Sequence, residues 1–289
     1  MTWQLALAGA SVGILVGMTG MGGGSLMTPI LILLFGFSPK TAVGTDILHG
    51  AVFKSFGAFR HRQLGNVHAK LALWMLAGSA PLSLVGVQIA SSFSDATNSK
   101  MGQIVGGALI AGGLGFAVKT FLRGRSSDAP FHLAPRDKVL AILIGSTCGF
   151  VVGLTSVGSG TFFGLAMLLV YPLTARKIVG TDMLHAAMLL FVAGTGHLIR
   201  GNVDLHAMAW LLVGSIPGVL LGSQMSLKVP ERSLRIVFAF ILVLSGIKLL
   251  DVPGATTIIE VAVGLGAVIF VIWSIRLVRQ RRVPAHDAA

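Results

Sequence analysis

The sequence predicts an all-α polytopic membrane protein with two inverted-topology repeats. Each repeat is expected to hold a re-entrant hairpin broken by glycines and three spans, and one extra span follows at the C-terminal end. The 289 residues are 54 % hydrophobic and 11 % charged, with a mean hydropathy of +0.86. A soluble domain carries about 25 % charged residues. Two glycine-rich stretches interrupt apolar segments, and the chain matches itself after a shift of 136 residues.

The internal match is strongest around two aspartates. Residues 44–49 read GTDILH and residues 180–185 read GTDMLH, and GNV at 65–67 recurs at 201–203 without a gap. About a third of the positions from 13 to 88 are identical in the second copy, which is more than two unrelated apolar runs would share. Duplicated halves of this kind are typical of secondary transporters.

The first hairpin is predicted at residues 3–35. Residues 17–25 (GMTGMGGGS, here the first break) interrupt it, because glycine is a weak helix former. The second arm, 25–35, would be about 16 Å long as a helix, whereas the hydrocarbon core is about 30 Å thick. The arm is therefore too short to span, and a re-entrant hairpin is expected.

The remaining elements follow from caps and apolar runs. Ser38 is a suitable N-cap and Pro39 suits the first helical position, so the next helix begins there. The second hairpin is predicted at 139–170, around the second break at 153–161 (GLTSVGSGT). The predicted spans are 38–59, 71–93, 102–122, 178–198, 205–225, 234–250 and the extra 256–278. The predicted organisation is a first repeat (1–122), a cytoplasmic linker (123–138), a second repeat (139–250) and an extra helix with a basic tail (251–289).

The loop charges support hairpins that return to their own side. With returning hairpins, seventeen Lys and Arg, Lys119 among them, fall on one side and four on the other. With hairpins that cross once, the division would be ten against eleven. Cytoplasmic loops are rich in Lys and Arg. The sequence thus predicts a bacterial cytoplasmic (inner) membrane protein, with the N-terminus outside and the C-terminus in the cytoplasm. The same pattern explains the net charge of +12 without nucleic acid.

Ionisable residues lie deep in two predicted spans. Asp46 and Asp182 follow their helix starts by about eight residues, or about 12 Å, close to the midplane. His49 and His185 follow at i+3 and share their faces. Such residues are costly in a bilayer and usually functional. A buried polar lock is the alternative for the aspartates, and a structural hydrogen bond is the alternative to proton transfer for the histidines.

The two breaks are predicted to form the walls of one binding site. A break in a membrane helix is tolerated where it lines a wet cavity, although glycine can also serve close helix packing. Helix N-termini and hydroxyl groups favour an anion. Lys54, which aligns with Leu190, either pairs with Asp46 or attracts the anion. The predicted substrate-binding residues are Thr19, Gly22, Gly23, Gly24, Ser25, Thr45, Asp46, His49, Lys54, Thr155, Gly158, Ser159, Gly160, Thr161, Thr181, Asp182 and His185.

Other functional classes have little support in the sequence. Cys148 is the only cysteine, so a disulfide within the chain or a Cys-based metal site is excluded, and neither a cofactor nor a metal is expected. An intramembrane enzyme would need a nucleophile and base pair, for which Ser25 or Thr161 near His49 or His185 is the candidate, and no enzyme is predicted. The residues alone lead to a small-anion carrier, with an anion channel whose filter is fixed as the alternative.

The motifs resemble those of the TauE/SafE family of membrane transporters, often described as sulfite exporters. The resemblance rests on GMGGGS at 20–25 with Pro29, on AVGTD at 42–46, and on His61 with GNV at 65–67, and it covers nearly the whole chain. It implies export or uptake of a sulfur-containing anion such as sulfite or an organosulfonate. Many members carry a small hydroxyl residue where this chain has Asp46 and Asp182, which suggests proton coupling. The sequence leaves the oligomeric state open, a homodimer included.

Overall fold

The computed structural model describes residues 2–19, 24–122, 131–225, 231–257 and 259–261. The described residues confirm the all-α class, and five of their helices are long and apolar enough to cross a membrane. Residues 1–250 form one compact unit and 251–289 a second one. The helices of the first unit are α1 (Thr2–Thr19), α2 (Gly24–Leu33), α3 (Pro39–Gln63), α4 (Ala69–Ser92), α5 (Asn98–Phe121), α6 (Pro135–Thr155), α7 (Phe162–Val170), α8 (Ala175–Ile199), α9 (Leu205–Met225) and α10 (Glu231–Leu249).

The helix starts follow local signals. The hydroxyl of Ser38 accepts a hydrogen bond from the Thr41 amide at 3.3 Å, so the predicted cap of α3 is confirmed. Helix α6 begins at Pro135, inside the stretch predicted as linker, because the Asp137 carboxylate accepts from the Ala134 amide at 2.9 Å. The division into repeats and linker stays a prediction. Most of the predicted extra span at 256–278 lies outside the described residues.

Two matching glycines end α3 and α8. Gly65 has φ +69° and Gly201 has φ +70°, a region that an L side chain rarely adopts. Helix α3 continues past its predicted end at 59, through Arg60, His61 and Arg62, because basic side chains stabilise a helix C-terminus. The glycine turn, and not the first basic residue, therefore sets the helix end.

Small residues bring helices of opposite halves together. Helix α1 packs on α9, and α6 packs on α4 in the same way. A Cβ atom on Gly9 would overlap the carbonyl of Leu211, and one on Gly145 would overlap the carbonyl of Met75. The 136-residue shift aligns Gly9 with Gly145 and Met75 with Leu211, so the two contacts are equivalent. Close backbone approach through glycine is how helices associate without a hydrophobic driving force.

Matching helices of the two halves run in opposite directions. On α3, Gly50 faces Leu190, whereas Gly57, two turns later, faces Met183, so α3 and α8 are antiparallel. Helices α5 and α10 are antiparallel too, since Gly106 lies on Gly246, whereas Gly113, two turns later, lies on Ala239. These are the contacts that two inverted halves make.

The chain turns back between α1 and α3. Helix α1 runs parallel to α9, and so does α3, which contacts the start of α9 through Thr45 and its middle through His49. Since α1 and α3 point the same way, the segment between them, which includes α2, returns the chain. Helix α2 has 10 residues, which is about 15 Å, and its length agrees with the predicted hairpin.

Candidate functional site

The second break is an ordered turn between α6 and α7. Ser156 takes the left-handed conformation at φ +63°, which is uncommon for a residue with a side chain. Gly158 at φ +129° and Gly160 at φ +94° complete the turn. The Thr155 hydroxyl accepts from the Val157 amide at 3.2 Å, so this predicted site residue stabilises the turn itself. The turn directs hydroxyl and amide groups outward, toward α3 and α8.

Asp46 accepts hydrogen bonds from α2, which follows the first break, and from the second break. The Thr28 hydroxyl on α2 donates to its Oδ2 at 2.6 Å, and the Ser156 hydroxyl in the second break donates to the same oxygen at 2.8 Å. Asp46 is 1 % exposed, and among the residues that the structure describes its buried Oδ1 has no hydrogen-bond partner. One carboxyl group therefore joins the two halves and keeps one oxygen available.

Lys54 lies against the second break as well. Its ammonium group donates to the hydroxyl of Ser159 at 2.5 Å, and the side chain is fully buried. Helical side chains lean toward the N-terminus of their helix, so Lys54 reaches back in the direction of Asp46. It interacts electrostatically with Asp46 and with Asp182. Both predicted alternatives, pairing with a carboxylate and attracting an anion, are compatible with this position.

Asp182 has a different set of partners from its counterpart. The backbone amide of Gly160 hydrogen-bonds to it, and Lys119 and Lys54 interact with it electrostatically. Its buried Oδ1 finds no hydrogen-bond partner among the described residues. The second break thus contacts three buried ionisable residues. Its Ser156 hydroxyl contacts Asp46, its Ser159 hydroxyl contacts Lys54, and its Gly160 amide contacts Asp182.

Lys119 is a residue of this region that sequence reasoning missed. It was assigned to a cytoplasmic loop, but it is 4 % exposed and its ammonium group fills the space beside Gly164 of α7. The assignment was wrong because hydropathy cannot tell that a glycine on another helix leaves room for a long side chain. One signal in the sequence could have indicated this position. Thr28 of the first half aligns with Gly164, so the second half has no side chain at the matching place beside Asp182.

The two histidines bridge the halves symmetrically. Nε2 of His49 lies 2.9 Å from the hydroxyl of Ser215, and Nε2 of His185 lies 2.9 Å from that of Ser79. Each Nδ1 is buried without a hydrogen-bond partner. The ring of His185 also packs on Phe163 of α7 at a centroid distance of 4.3 Å. A structural bond thus occupies one nitrogen of each ring and leaves the other available.

Two predicted hydroxyls fasten helix starts. Thr45 accepts from the Asp204 amide at the start of α9, and Thr181 accepts from the His68 amide at the start of α4, each at 2.9 Å. Both contacts join the halves, and these hydroxyls are engaged with the backbone. Thr161 is buried at the end of the second break. A direct role in substrate binding stays a prediction for all three.

The first break lies largely outside the described residues. Gly22 and Gly23 are not described, and Thr19, Gly24 and Ser25 are described as helix backbone only. Their predicted substrate contacts stay predictions. In the part of the chain that the structure describes, no group of three His, Cys, Asp or Glu could hold a metal ion.

Comparison with known proteins gives consistent matches. The model of a family described as sulfite exporter TauE/SafE matches residues 5–249. The "probable membrane transporter protein YjnA" of Bacillus subtilis is 38 % identical over 256 residues, which cover 86 % of this chain and 100 % of that protein. The "probable membrane transporter protein MJ0441" of Methanocaldococcus jannaschii is 25 % identical over 259 residues, 85 % of this chain and 94 % of its own. No solved structure gives a significant match.

Proposed function

Since this chain belongs to the sulfite exporter TauE/SafE family of membrane transporters, we propose that it is a secondary carrier of a small anion. The substrate class we propose is a sulfur-containing anion such as sulfite or an organosulfonate. We propose that the protein lies in the bacterial cytoplasmic (inner) membrane. The loop charges support an orientation with the N-terminus outside and the C-terminus in the cytoplasm. With Lys119 removed from the loops, sixteen basic residues still oppose four.

The proposal rests mainly on what the second break contacts. Ser156 binds Asp46, Ser159 binds Lys54 and the Gly160 amide binds Asp182, all inside a buried region between α3 and α8. A packing turn has no need of three ionisable partners, and ionisable residues are costly to bury in a membrane, so those that occur there usually serve a function. Hydroxyl, amide and ammonium donors are the groups that bind a small oxyanion.

Lys54 is the group expected to attract the substrate. It is fully buried, and its ammonium group donates a hydrogen bond to the Ser159 hydroxyl of the second break. A single ammonium group, which presents a point charge and no bidentate fork, binds an oxyanion less rigidly than arginine would. Weak binding suits a carrier, because the substrate must leave again on the other side.

We also propose that anion transport is coupled to protons at Asp46. Its Oδ1 has no hydrogen-bond partner in the part of the chain that the structure describes, and its Oδ2 meets two hydroxyls, groups that can both donate and accept. The carboxyl group can therefore hold or release a proton without loss of its hydrogen bonds. Asp46→Asn should leave the fold intact and make transport independent of pH. Normal pH dependence in that variant would remove Asp46 from proton coupling.

A binding screen tests the anion proposal. The purified protein in detergent is heated with sulfite, thiosulfate, sulfate, methanesulfonate or acetate, and the shift of the unfolding temperature is measured. We expect a saturable stabilisation by at least one sulfur oxyanion and its loss in Lys54→Leu, which copies Leu190 of the second half. Lys100→Leu is the control, since Lys100 is exposed at the start of α5. Equal shifts in both variants would contradict a role of Lys54.

Flux into proteoliposomes separates a carrier from a channel. Liposomes preloaded with unlabelled substrate should take up the labelled anion faster than empty ones. The reason is that a carrier can bind unlabelled substrate inside and return its binding site to the outside with that substrate bound. A channel with a fixed filter would show no such stimulation from the far side, and that result would favour the channel alternative.

A further inference from the structure

A buried histidine near the end of α8 contacts the helix that leads into the second break. Helix α6 ends at Thr155, and the Val157 amide donates to the Thr155 hydroxyl at 3.2 Å and not to the Gly153 carbonyl, its partner in a continuing helix. Carbonyl groups in the last turn of a helix need another donor when they are buried. Nε2 of His197 lies 2.9 Å from the carbonyl oxygen of Gly153, so His197 satisfies this end of α6.

The hydrogen bonds around His197 determine its tautomer. The Ser91 hydroxyl on α4 donates to the Val87 carbonyl at 2.7 Å, so it accepts from the side-chain amide of Asn202, whose Nδ2 lies 2.7 Å away. The same Nδ2 lies 3.3 Å from Nδ1 of His197, which therefore accepts as well. Since a carbonyl can only accept, Nε2 must carry the proton in the bond to Gly153. His197 is thus a neutral imidazole with its proton on Nε2.

The matching end of α3 has the same backbone turn and different side-chain contacts. His61 and Asn66 align with His197 and Asn202, and in both halves the asparagine amide donates to the carbonyl of its histidine at 3.0 Å. His197 is 0 % exposed and Asn202 3 %, whereas His61 and Asn66 are only partly buried. Among the described residues, Nδ1 of His61 is buried without a hydrogen-bond partner. The bond from the histidine to a partner helix is therefore a property of the second half.

The sequence explains this difference at one position of α4. Ser91 aligns with Leu227, whose side chain cannot accept a hydrogen bond, so the amide of Asn66 has no hydroxyl partner at the matching place. The two ring nitrogens of a histidine are distinguished by the hydrogen bond that the other nitrogen makes. An asparagine that nothing orients cannot fix the tautomer of its histidine. The second half therefore holds a complete hydrogen-bond chain from α4 through α8 to α6, and the first half lacks its first member.

This hydrogen-bond chain ends beside the polar groups of the proposed anion site. The bonded carbonyl lies three residues before Ser156, whose hydroxyl donates to Asp46 at 2.8 Å. Gly194, one turn before His197, faces Leu48 of α3, so this end of α8 lies beside the same stretch of α3. A bond to the last turn of α6 fixes the direction in which the chain leaves that helix. Groups that bind a ligand have to be held within about 0.5 Å of their productive positions.

We propose that His197, oriented by Asn202 and Ser91, is a positioning residue that holds the second break in place for anion binding. This inference rests on the proposed anion transport and adds how one wall of that site is fixed. His197 does not need to touch the anion, because it acts through the last turn of α6 and through Ser156. The matching His61 has no such role.

Matched histidine variants test the positioning role. His197→Leu removes the donor, whereas His197→Gln keeps an N–H donor near the place of Nε2, and His61→Leu is the control in the other half. The dissociation constant of methanesulfonate is measured at one pH. We expect it to rise about tenfold in His197→Leu, as for one lost hydrogen bond, and to stay within about twofold in the other two variants. Unchanged affinity in His197→Leu, or an equal loss in His61→Leu, would overturn the inference.

A double variant distinguishes positioning from a general loss of stability. Ser156→Gly copies Gly20 of the first half, suits the φ of +63° and removes the hydroxyl that holds the break on Asp46. If His197 and Ser156 hold the same turn, their effects on the dissociation constant should not add. We expect Ser156→Gly to weaken binding about tenfold in the wild type and less than about threefold in His197→Leu. Additive losses would contradict an action through the second break.

The tautomer of His197 can be measured without any anion. In protein labelled with ¹⁵N-histidine, the NMR shifts of the ring nitrogens distinguish a proton on Nε2 from a proton on Nδ1. The signal lost in His197→Gln should show the Nε2–H tautomer, and Asn202→Leu should change it. A proton on Nδ1 of His197 in the wild type would overturn the inference. Absence of anion binding by a wild type with the expected tautomer would instead contradict the proposed transport.

Discussion

His49 with Ser215 and His185 with Ser79 are the same contact in the two halves, at the same distance of 2.9 Å. Asp46 and Asp182 lie three residues before these histidines, and their surroundings differ. Hydroxyls of Thr28 and Ser156 bind the first aspartate, and Lys119 acts electrostatically on the second, whereas Lys54 acts on both. Equivalent backbone positions therefore hold unequal chemistry.

The difference separates the requirements of helix packing from those of the site. Packing of inverted halves places the same demand on both copies, so glycines that admit a backbone carbonyl recur, as Gly44 on Asn202 and Gly180 on Asn66 show. A substrate that crosses between the halves meets both copies at once, and nothing requires the two to be alike. The scaffold therefore stays symmetric while the polar groups around the aspartates diverge.

The largest expected effect tests the unequal aspartates. Asp182→Asn removes a buried carboxyl group on which Lys119 and Lys54 act electrostatically, and loss of one partner of a buried charge pair costs about 3–5 kcal/mol. Asp46→Asn keeps an acceptor for Thr28 and Ser156 and should cost about 1 kcal/mol of unfolding free energy. Denaturant unfolding in detergent measures both. Adding Lys119→Met to Asp182→Asn should recover part of the loss. Equal losses in the two single variants would contradict the comparison.

The next effect tests the symmetry of the scaffold. Gly9→Ala and Gly145→Ala each place a Cβ against a carbonyl, of Leu211 and of Met75, so each should lower the free energy of unfolding by about 1–3 kcal/mol. Gly107→Ala is the control, since a Cβ there meets nothing within 4 Å. The same unfolding measurement applies. A loss in one of the first two variants only would show that the halves do not pack alike.

A smaller effect concerns the histidine contacts. Ser79→Ala and Ser215→Ala each remove one hydrogen bond to a buried imidazole, at a cost of about 1 kcal/mol. The two costs should agree and should add in the double variant, because the contacts share no residue. Thermal unfolding of the three variants checks this. Unequal costs would mean that one histidine has another partner and a role of its own.

The smallest effect comes from making the halves more alike. Lys54→Leu together with Ser159→Gly copies Leu190 and Gly23 into the first half and its facing break. Replacing a buried polar pair with apolar groups is often close to neutral for stability, so the double variant should unfold within about 1 kcal/mol of the wild type. Ser159→Gly alone should cost more, about 1–3 kcal/mol, because Lys54 loses its acceptor. A double variant less stable than this single one would contradict the pairing.

Most of the described helices and the second break could be predicted from the sequence, while the division into repeats stays a prediction. These depend on local signals that act on neighbouring residues, such as glycines between apolar runs, the cap at Ser38 and the glycine turns at 65 and 201. The same holds for the buried depth of Asp46 and Asp182, which follows from their distance along the helix. The family resemblance, read from short motifs in the right order, is confirmed by the match over residues 5–249.

The contacts between side chains on different helices could not be read from the sequence. Ser156 reaches Asp46 across 110 residues of sequence, and Lys119 enters the site because Gly164, on another helix, leaves it space. Hydropathy and periodicity describe one helix at a time, and a side chain's neighbours depend on helices that fold against it from the other half. The motifs around the two aspartates are nearly the same, and the contacts between helices give these aspartates different partners.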